Sequence, residues 1–74
     1  MAYYDETFYY YKNKYESKDY YLEWMGNTIY IMTKPKFLRR SKTKFCLIMA
    51  HPQCNEDTIE YVLFSYGFRK KKER

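Results

Sequence analysis

Seventy-four residues suffice for one domain, and a chain so short buries only about 60% of its unfolded surface, so it needs a further source of stability. A 23% aromatic fraction, with 11 Tyr and 5 Phe, supplies it as dense ring packing, while 2 Gly and 2 Pro exclude long linkers. The net charge of +5 points to an anionic partner, and the longest apolar run, Phe45 to Ala50, excludes a bilayer-spanning helix of about 20 residues.

The start of the chain reads two ways. Tyr9, Tyr10 and Tyr11 in succession favour a strand, whereas Tyr4, Phe8, Tyr11 and Tyr15 fall on a helical stripe. A strand is the expectation, because the neighbouring hairpin supplies an edge for it to join. Glu16-Ser17-Lys18-Asp19 is a turn in either case.

That hairpin is the clearest β element. Residues 20–25 and 28–33 are both rich in β-formers, and Gly26-Asn27 between them suits a two-residue type II′ turn. The short loop dictates the register: Met25 opposite Thr28, Trp24 opposite Ile29, and Leu22 opposite Ile31. Leu22, Trp24, Ile29 and Ile31 then form a core face. Tyr21, Glu23, Met25, Thr28, Tyr30 and Met32 share the other face, which is a second packed layer or a binding surface.

Pro35 confines the next stretch to a loop or a strand edge. Phe37 and Leu38 are expected to continue the second strand, with residues 39–43 as a basic loop. Phe45 to Ala50 is a third strand, apolar on both faces and so suited to a central, covered position. His51-Pro52-Gln53-Cys54 is a connection. Asn55 is a good helix N-cap, and Glu56 and Asp57 follow it in the first turn, where the helix dipole favours acids. Ile59, Val62, Leu63 and Tyr66 form the apolar stripe of that helix. Gly67 fits the left-handed C′ position, and Phe68 at C″ closes back on Leu63. Residues 69–74 read as a solvated basic tail.

Charge is concentrated in two places. Residues 34–50 carry Lys34, Lys36, Arg39, Arg40, Lys42 and Lys44 with no acid, and the tail carries Arg69, Lys70, Lys71, Lys72 and Arg74 against Glu73 alone. Residues 1–33 and 51–68 are net acidic. A basic loop between strands is suited to follow phosphates, each Lys or Arg neutralising one charge and releasing a counterion, and Arg39-Arg40 to fork onto phosphate oxygens. A Lys-rich edge also protects a sheet from aggregating, which is the purely structural reading of the same residues. Tyr21 and Tyr30, on the non-core face of the hairpin, are candidates to stack on single-stranded bases or to anchor a protein interface.

Cys46, His51 and Cys54 have a spacing reminiscent of half a zinc site, but a structural site takes four Cys or His ligands and the fourth is missing, so Glu56, Asp57 or a second chain would have to complete it. No metal or other cofactor is therefore expected. A Cys–His nucleophile would need an orienting third group and an oxyanion hole; the chain has one His, no glycine-rich or elbow motif and little volume for a pocket, so no catalytic residues are assigned. The acidic start of the one clear helix argues against a DNA-reading recognition helix.

The expected fold is α+β: a small antiparallel sheet of three or four strands with one C-terminal amphipathic helix on one face. Residues 1–68 form the single domain and residues 69–74 the tail. The expected core is Leu22, Trp24, Ile29, Ile31, Phe45, Leu47, Met49, Ile59, Val62, Leu63 and Tyr66. A homodimer fits this picture, because one helix cannot cover both faces of so aromatic a sheet. The expected function is non-catalytic binding of nucleic acid or a nucleic-acid-handling protein complex, through Lys34, Lys36, Arg39, Arg40, Lys42, Lys44, Tyr21, Tyr30, Arg69, Lys70, Lys71 and Lys72. The alternative is an inhibitor that binds a host protein through its tyrosine face, of the anti-defence or anti-CRISPR class. The Lys- and Tyr-heavy composition is common in small proteins of phages and mobile elements. An acidic, aromatic N-terminus is unlike a signal peptide. The expected location is the cytoplasm, that of the host cell for a phage protein, with both cysteines as free thiols.

Overall fold

The computed structural model describes residues 3–52 and 54–72, and of residues 3–5 the backbone alone. Gln53 of the predicted connection and residues 73–74 of the predicted tail lie outside the described residues. The order of elements is α1 (Tyr3–Lys14), β1 (Tyr15–Glu16), β2 (Tyr20–Met25), β3 (Thr28–Thr33), β4 (Thr43–Ile48), α2 (Glu56–Ser65) and β5 (Arg69–Lys70). The fold is α+β: β2-β3-β4 form a three-stranded antiparallel sheet, and β1 and β5 pair as a separate two-stranded ribbon.

The hairpin has the register that its loop length predicts, with Leu22 opposite Ile31, Trp24 opposite Ile29 and Met25 opposite Thr28. Its turn is different. Gly26 and Asn27 both take positive φ, 57° and 62°, which is the pattern of a type I′ turn rather than type II′. Asn tolerates the left-handed region, so the second position needs no glycine.

The N-terminal segment is a helix, not the expected strand. As a strand, alternation would carry Lys12 or Asn13 inward with the aromatic rings. The helix instead turns Phe8 and Tyr11 inward, with Tyr15 of β1 just past its end, all three buried, and leaves Tyr9, Tyr10, Lys12 and Asn13 in solvent. Phe8 stacks on Trp24 with centroids 5.6 Å apart and planes at 26°, and Tyr11 packs against Tyr15 at 5.5 Å. Two helices therefore cover the sheet's inner face, where one was expected.

The third strand also departs from expectation. β4 lies at the edge of the sheet, not its centre, and β3 is the central strand. Phe45 and Leu47 face the core opposite Ile31 and Ile29, but Phe45 sits at the margin and remains 41% exposed. Ile48, on the outer face, is 53% exposed. A run apolar on both faces thus marks an outer face left open rather than a strand covered twice.

Helix α2 follows its sequence signals closely. The Asn55 side chain accepts a hydrogen bond from the Thr58 amide at 2.9 Å, a standard N-cap. At the other end Gly67 has φ 84°. The Phe68 amide donates to the Leu63 carbonyl at 2.9 Å and the Gly67 amide to the Phe64 carbonyl at 3.0 Å, the bond pair of a Schellman ending. That ending drives Phe68 into the core, where it is 2% exposed.

The core comprises Phe8, Tyr11, Tyr15, Leu22, Ile29, Ile31, Leu47, Met49, Ile59, Leu63 and Phe68, with Tyr20, Trp24, Cys54, Val62 and Tyr66 packed around it. Sequence patterning missed Phe8, Tyr11 and Tyr15 because their segment was read as a strand. The chain does not become a free tail at residue 69: Arg69 pairs with Glu16, Lys70 with Tyr15, and the Lys71 amide donates to the Lys14 carbonyl at 2.8 Å. Among the described residues no helix is long and apolar enough to cross a membrane.

Candidate nucleic-acid interface

The basic loop runs from Lys34 to Lys42. Its base is closed by two bonds between the same residues: the Thr33 amide donates to the Lys42 carbonyl, and the Lys42 amide to the Thr33 hydroxyl, both at 2.8 Å. The Lys34 amide donates to the Asp19 carbonyl at 3.0 Å, and its ammonium to the Ser17 carbonyl at 2.8 Å. Farther out, Lys36 and Arg39 exchange reciprocal backbone bonds of 3.1 and 2.8 Å. These close a two-residue turn whose apex is Phe37-Leu38. Leu38 holds φ 66°, and both apex side chains are 89% exposed. The predicted continuation of the second strand through Phe37 and Leu38 is therefore absent. Pro35 has no amide to extend a ladder, and β3 ends at Thr33.

Between this loop and the open end of the hairpin lies a concave groove of about 1040 Å³. Lys34, Lys36, Arg39, Arg40, Lys42 and Lys44, all six predicted loop cations, line it together with Asp19, Tyr20, Thr33 and Leu38. A β-bulge contributes to this convergence. Ile31 pairs with Phe45 and Met32 with Thr43, so Lys44 is the extra residue, and such an insertion re-aims a side chain out of the regular alternation. One carboxylate among six cations leaves the groove strongly positive.

The two basic blocks, remote in sequence, lie close together in space. A second, shallower depression next to the first is lined by Lys12, Lys34 and Lys71 together with the carboxylates Glu16 and Glu23, and by Tyr15, Tyr20 and Tyr21. Lys34 borders both depressions, so Lys12 and Lys71 extend the cationic surface toward the ribbon, with Glu16 and Glu23 among them. The β1–β5 pairing that brings Lys71 there joins two segments more than fifty residues apart, and no local pattern in the sequence announces it.

The remaining candidates are dispersed. Arg69 is engaged with α2: its guanidinium donates to the Phe68 carbonyl at 2.7 Å and the Phe64 carbonyl at 3.3 Å and lies 5.2 Å over the Phe64 ring. A cation there complements the negative end of the helix dipole. Lys70 and Lys72 are exposed. Tyr21 borders the second depression, whereas Tyr30, opposite Cys46 at the centre of the outer sheet face, lines neither. The tyrosine on the main groove is Tyr20, held edge-on against Tyr66 at 5.3 Å. Sequence reasoning placed it in neither the core nor the site. Its position opposite Thr33, at the mouth of the hairpin, is the signal that marks it.

Cys46, His51 and Cys54 do border one shallow depression, with Phe45, Leu47, Ile48 and Thr58. Among the described residues, however, no three His, Cys, Asp or Glu side chains are grouped to hold a metal ion. Both cysteines are free, and burial pushes the Cys54 thiol up from its ordinary pKa, which keeps it protonated and poorly nucleophilic.

No protein-family model, curated protein or solved structure matches this chain. The chemistry of its own residues carries the functional reading.

Proposed function

We propose that this protein is a non-catalytic binder of nucleic acid, free or within a nucleoprotein, and that its binding surface is the cationic groove and its extension toward Lys71. The observation that carries the reading is the gathering of six loop cations around one concave surface. Exposed cations scattered over a surface would serve solubility. Cations turned toward a shared cleft raise the local potential and favour a polyanion. Each phosphate contact adds affinity by releasing condensed counterions, and Arg39-Arg40 add forked, charge-assisted bonds that position the backbone.

Fluorescence anisotropy of labelled DNA and RNA, single- and double-stranded, tests this with the full chain at low and physiological salt. Binding at low salt that falls steeply as salt rises is the expected result. No binding at low salt would refute the proposal.

A second reading has an observation of its own. Both helices pack on the inner face of the sheet, and the outer face presents Tyr21, Tyr30 and Met32 half-buried beside Met25 and Ile48, which are 67% and 53% exposed. Tyr and Met are favoured at protein interfaces, so this face suits a protein partner of the host-directed inhibitor type. Replacing Met25 and Ile48 with Ser leaves nucleic-acid affinity unchanged under the first reading, and abolishes a stoichiometric protein complex under the second.

A further inference from the structure

Resting on the nucleic-acid reading, we infer that the groove takes a single strand rather than a duplex, and that the Phe37-Leu38 apex provides its contact with unstacked bases.

The exposed apex is what favours a single strand. Among the described residues Phe37 and Leu38 are the most exposed large apolar side chains, 89% each, and they are not on a loosely tethered loop. The reciprocal Lys36–Arg39 bonds clamp the turn, and the loop base is closed again at Thr33 and Lys42. Leu38 lines the groove between Lys36 and Arg39, with Tyr20 among the other lining residues. Cations that hold successive phosphates place the intervening bases against whatever lies between those cations, and here that is Leu38, with Phe37 beside it in the same turn but outside the groove lining. In a duplex the base faces are stacked on one another and unavailable. In a single strand each base has a free π-face, and apolar or aromatic surface gains from covering it. The groove thus combines a phosphate track with a base-contacting apex, and only a single strand uses both at once.

The test compares one labelled mixed-sequence DNA strand with the duplex it forms with its complement, in low salt, for the full chain and for Phe37→Ser/Leu38→Ser. Both side chains lie outside the core, so the double variant should melt with the parent; Phe37→Ala serves if it does not. The expected result is tighter binding of the single strand than of the duplex. The variant should lose roughly fivefold or more in single-strand affinity, the effect of losing one base contact, while its duplex affinity is unchanged. Equal or tighter duplex binding, or a variant that holds the single strand as well as the parent, overturns the inference and leaves the nucleic-acid reading standing. Vesicles containing phosphatidylserine form the third arm. If the parent binds them, and the substitutions abolish that binding while sparing the single strand, the apex is a lipid-inserting element and the inference falls. No binding of either nucleic acid at low salt overturns the underlying reading, and this one with it.

Discussion

Replacing Arg39, Arg40 and Lys42 together with Ala removes half of the six cations that line the groove and leaves the fold in place. All three side chains are exposed, and the bonds that close the loop through Lys42 and Arg39 come from backbone atoms that alanine retains. On a single strand, each neutralised phosphate contributes about −0.7 to the slope of log affinity against log salt. Six contacts correspond to a slope of roughly −4, and three to roughly −2. Between 50 and 200 mM salt the parent should therefore weaken about 300-fold, and the triple variant only about 20-fold. These are upper values, because Asp19 opposes the field and the Lys34 ammonium is already bonded to the Ser17 carbonyl. Anisotropy titrations at four or more salt concentrations read the slopes directly, with circular dichroism melts as the check on folding. Parallel slopes for parent and variant would refute the reasoning, because they would mean that the groove cations do not touch phosphates.

Three further outcomes follow from the fold. Phe68→Ala should cost about 3–5 kcal/mol, against the roughly 4–11 kcal/mol expected in total for a domain of this length. Urea denaturation followed by Trp24 fluorescence measures it, and a cost under about 1 kcal/mol would contradict the burial of Phe68 beneath the end of α2. Gly67→Ala should cost about 1–2 kcal/mol, since its φ is 84° while the nearest atom to an added Cβ, the Ser17 hydroxyl, is an ordinary 3.7 Å away; Gly67→Asn should lose less in the same assay. Burial is the leading cause that raises the phenols of Tyr11 and Tyr15 above their ordinary pKa, with Glu56 and Glu60 adding to it. Groups that hold their protons longer folded than unfolded stabilise fully below the unfolded pKa of about 10 and lose that contribution as pH rises above it. Thermal melts should therefore fall steeply above pH 10, and Tyr11→Phe should flatten the fall; an unchanged pH profile in that variant would contradict the assignment.

The extent to which the sequence foretells this fold depends on how local the governing interaction is. The hairpin register follows from a two-residue loop, and both ends of α2 follow from Asn55 and Gly67, because each is decided by bonds within a few residues. The type of the turn at Gly26-Asn27 escaped prediction because Gly and Asn both accept positive φ, so two turn types are open to the pair. The first segment escaped it for a different reason. A run of tyrosines has intrinsic strand preference, but the hairpin's inner face needed a cover, and the helical spacing of Phe8 and Tyr11, with Tyr15 just past the helix end, supplies one without burying Lys12 or Asn13.

The site divides in the same way. Lys34, Lys36, Arg39, Arg40, Lys42 and Lys44 are legible as a basic block from composition alone, and that block is what the sequence by itself determined about the candidate surface. Only the tertiary structure decided its shape. Backbone bonds between Thr33 and Lys42 close the loop, a bulge brings Lys44 into the lining, Tyr20 enters the groove in place of Tyr21 and Tyr30, and the apex exposes Phe37 and Leu38. Pairing of β1 with β5 carries Lys71 to the side of Lys34 and commits Arg69 to the end of α2. Composition determines how much charge a segment carries, whereas the contacts that aim it span tens of residues and form only when the core assembles.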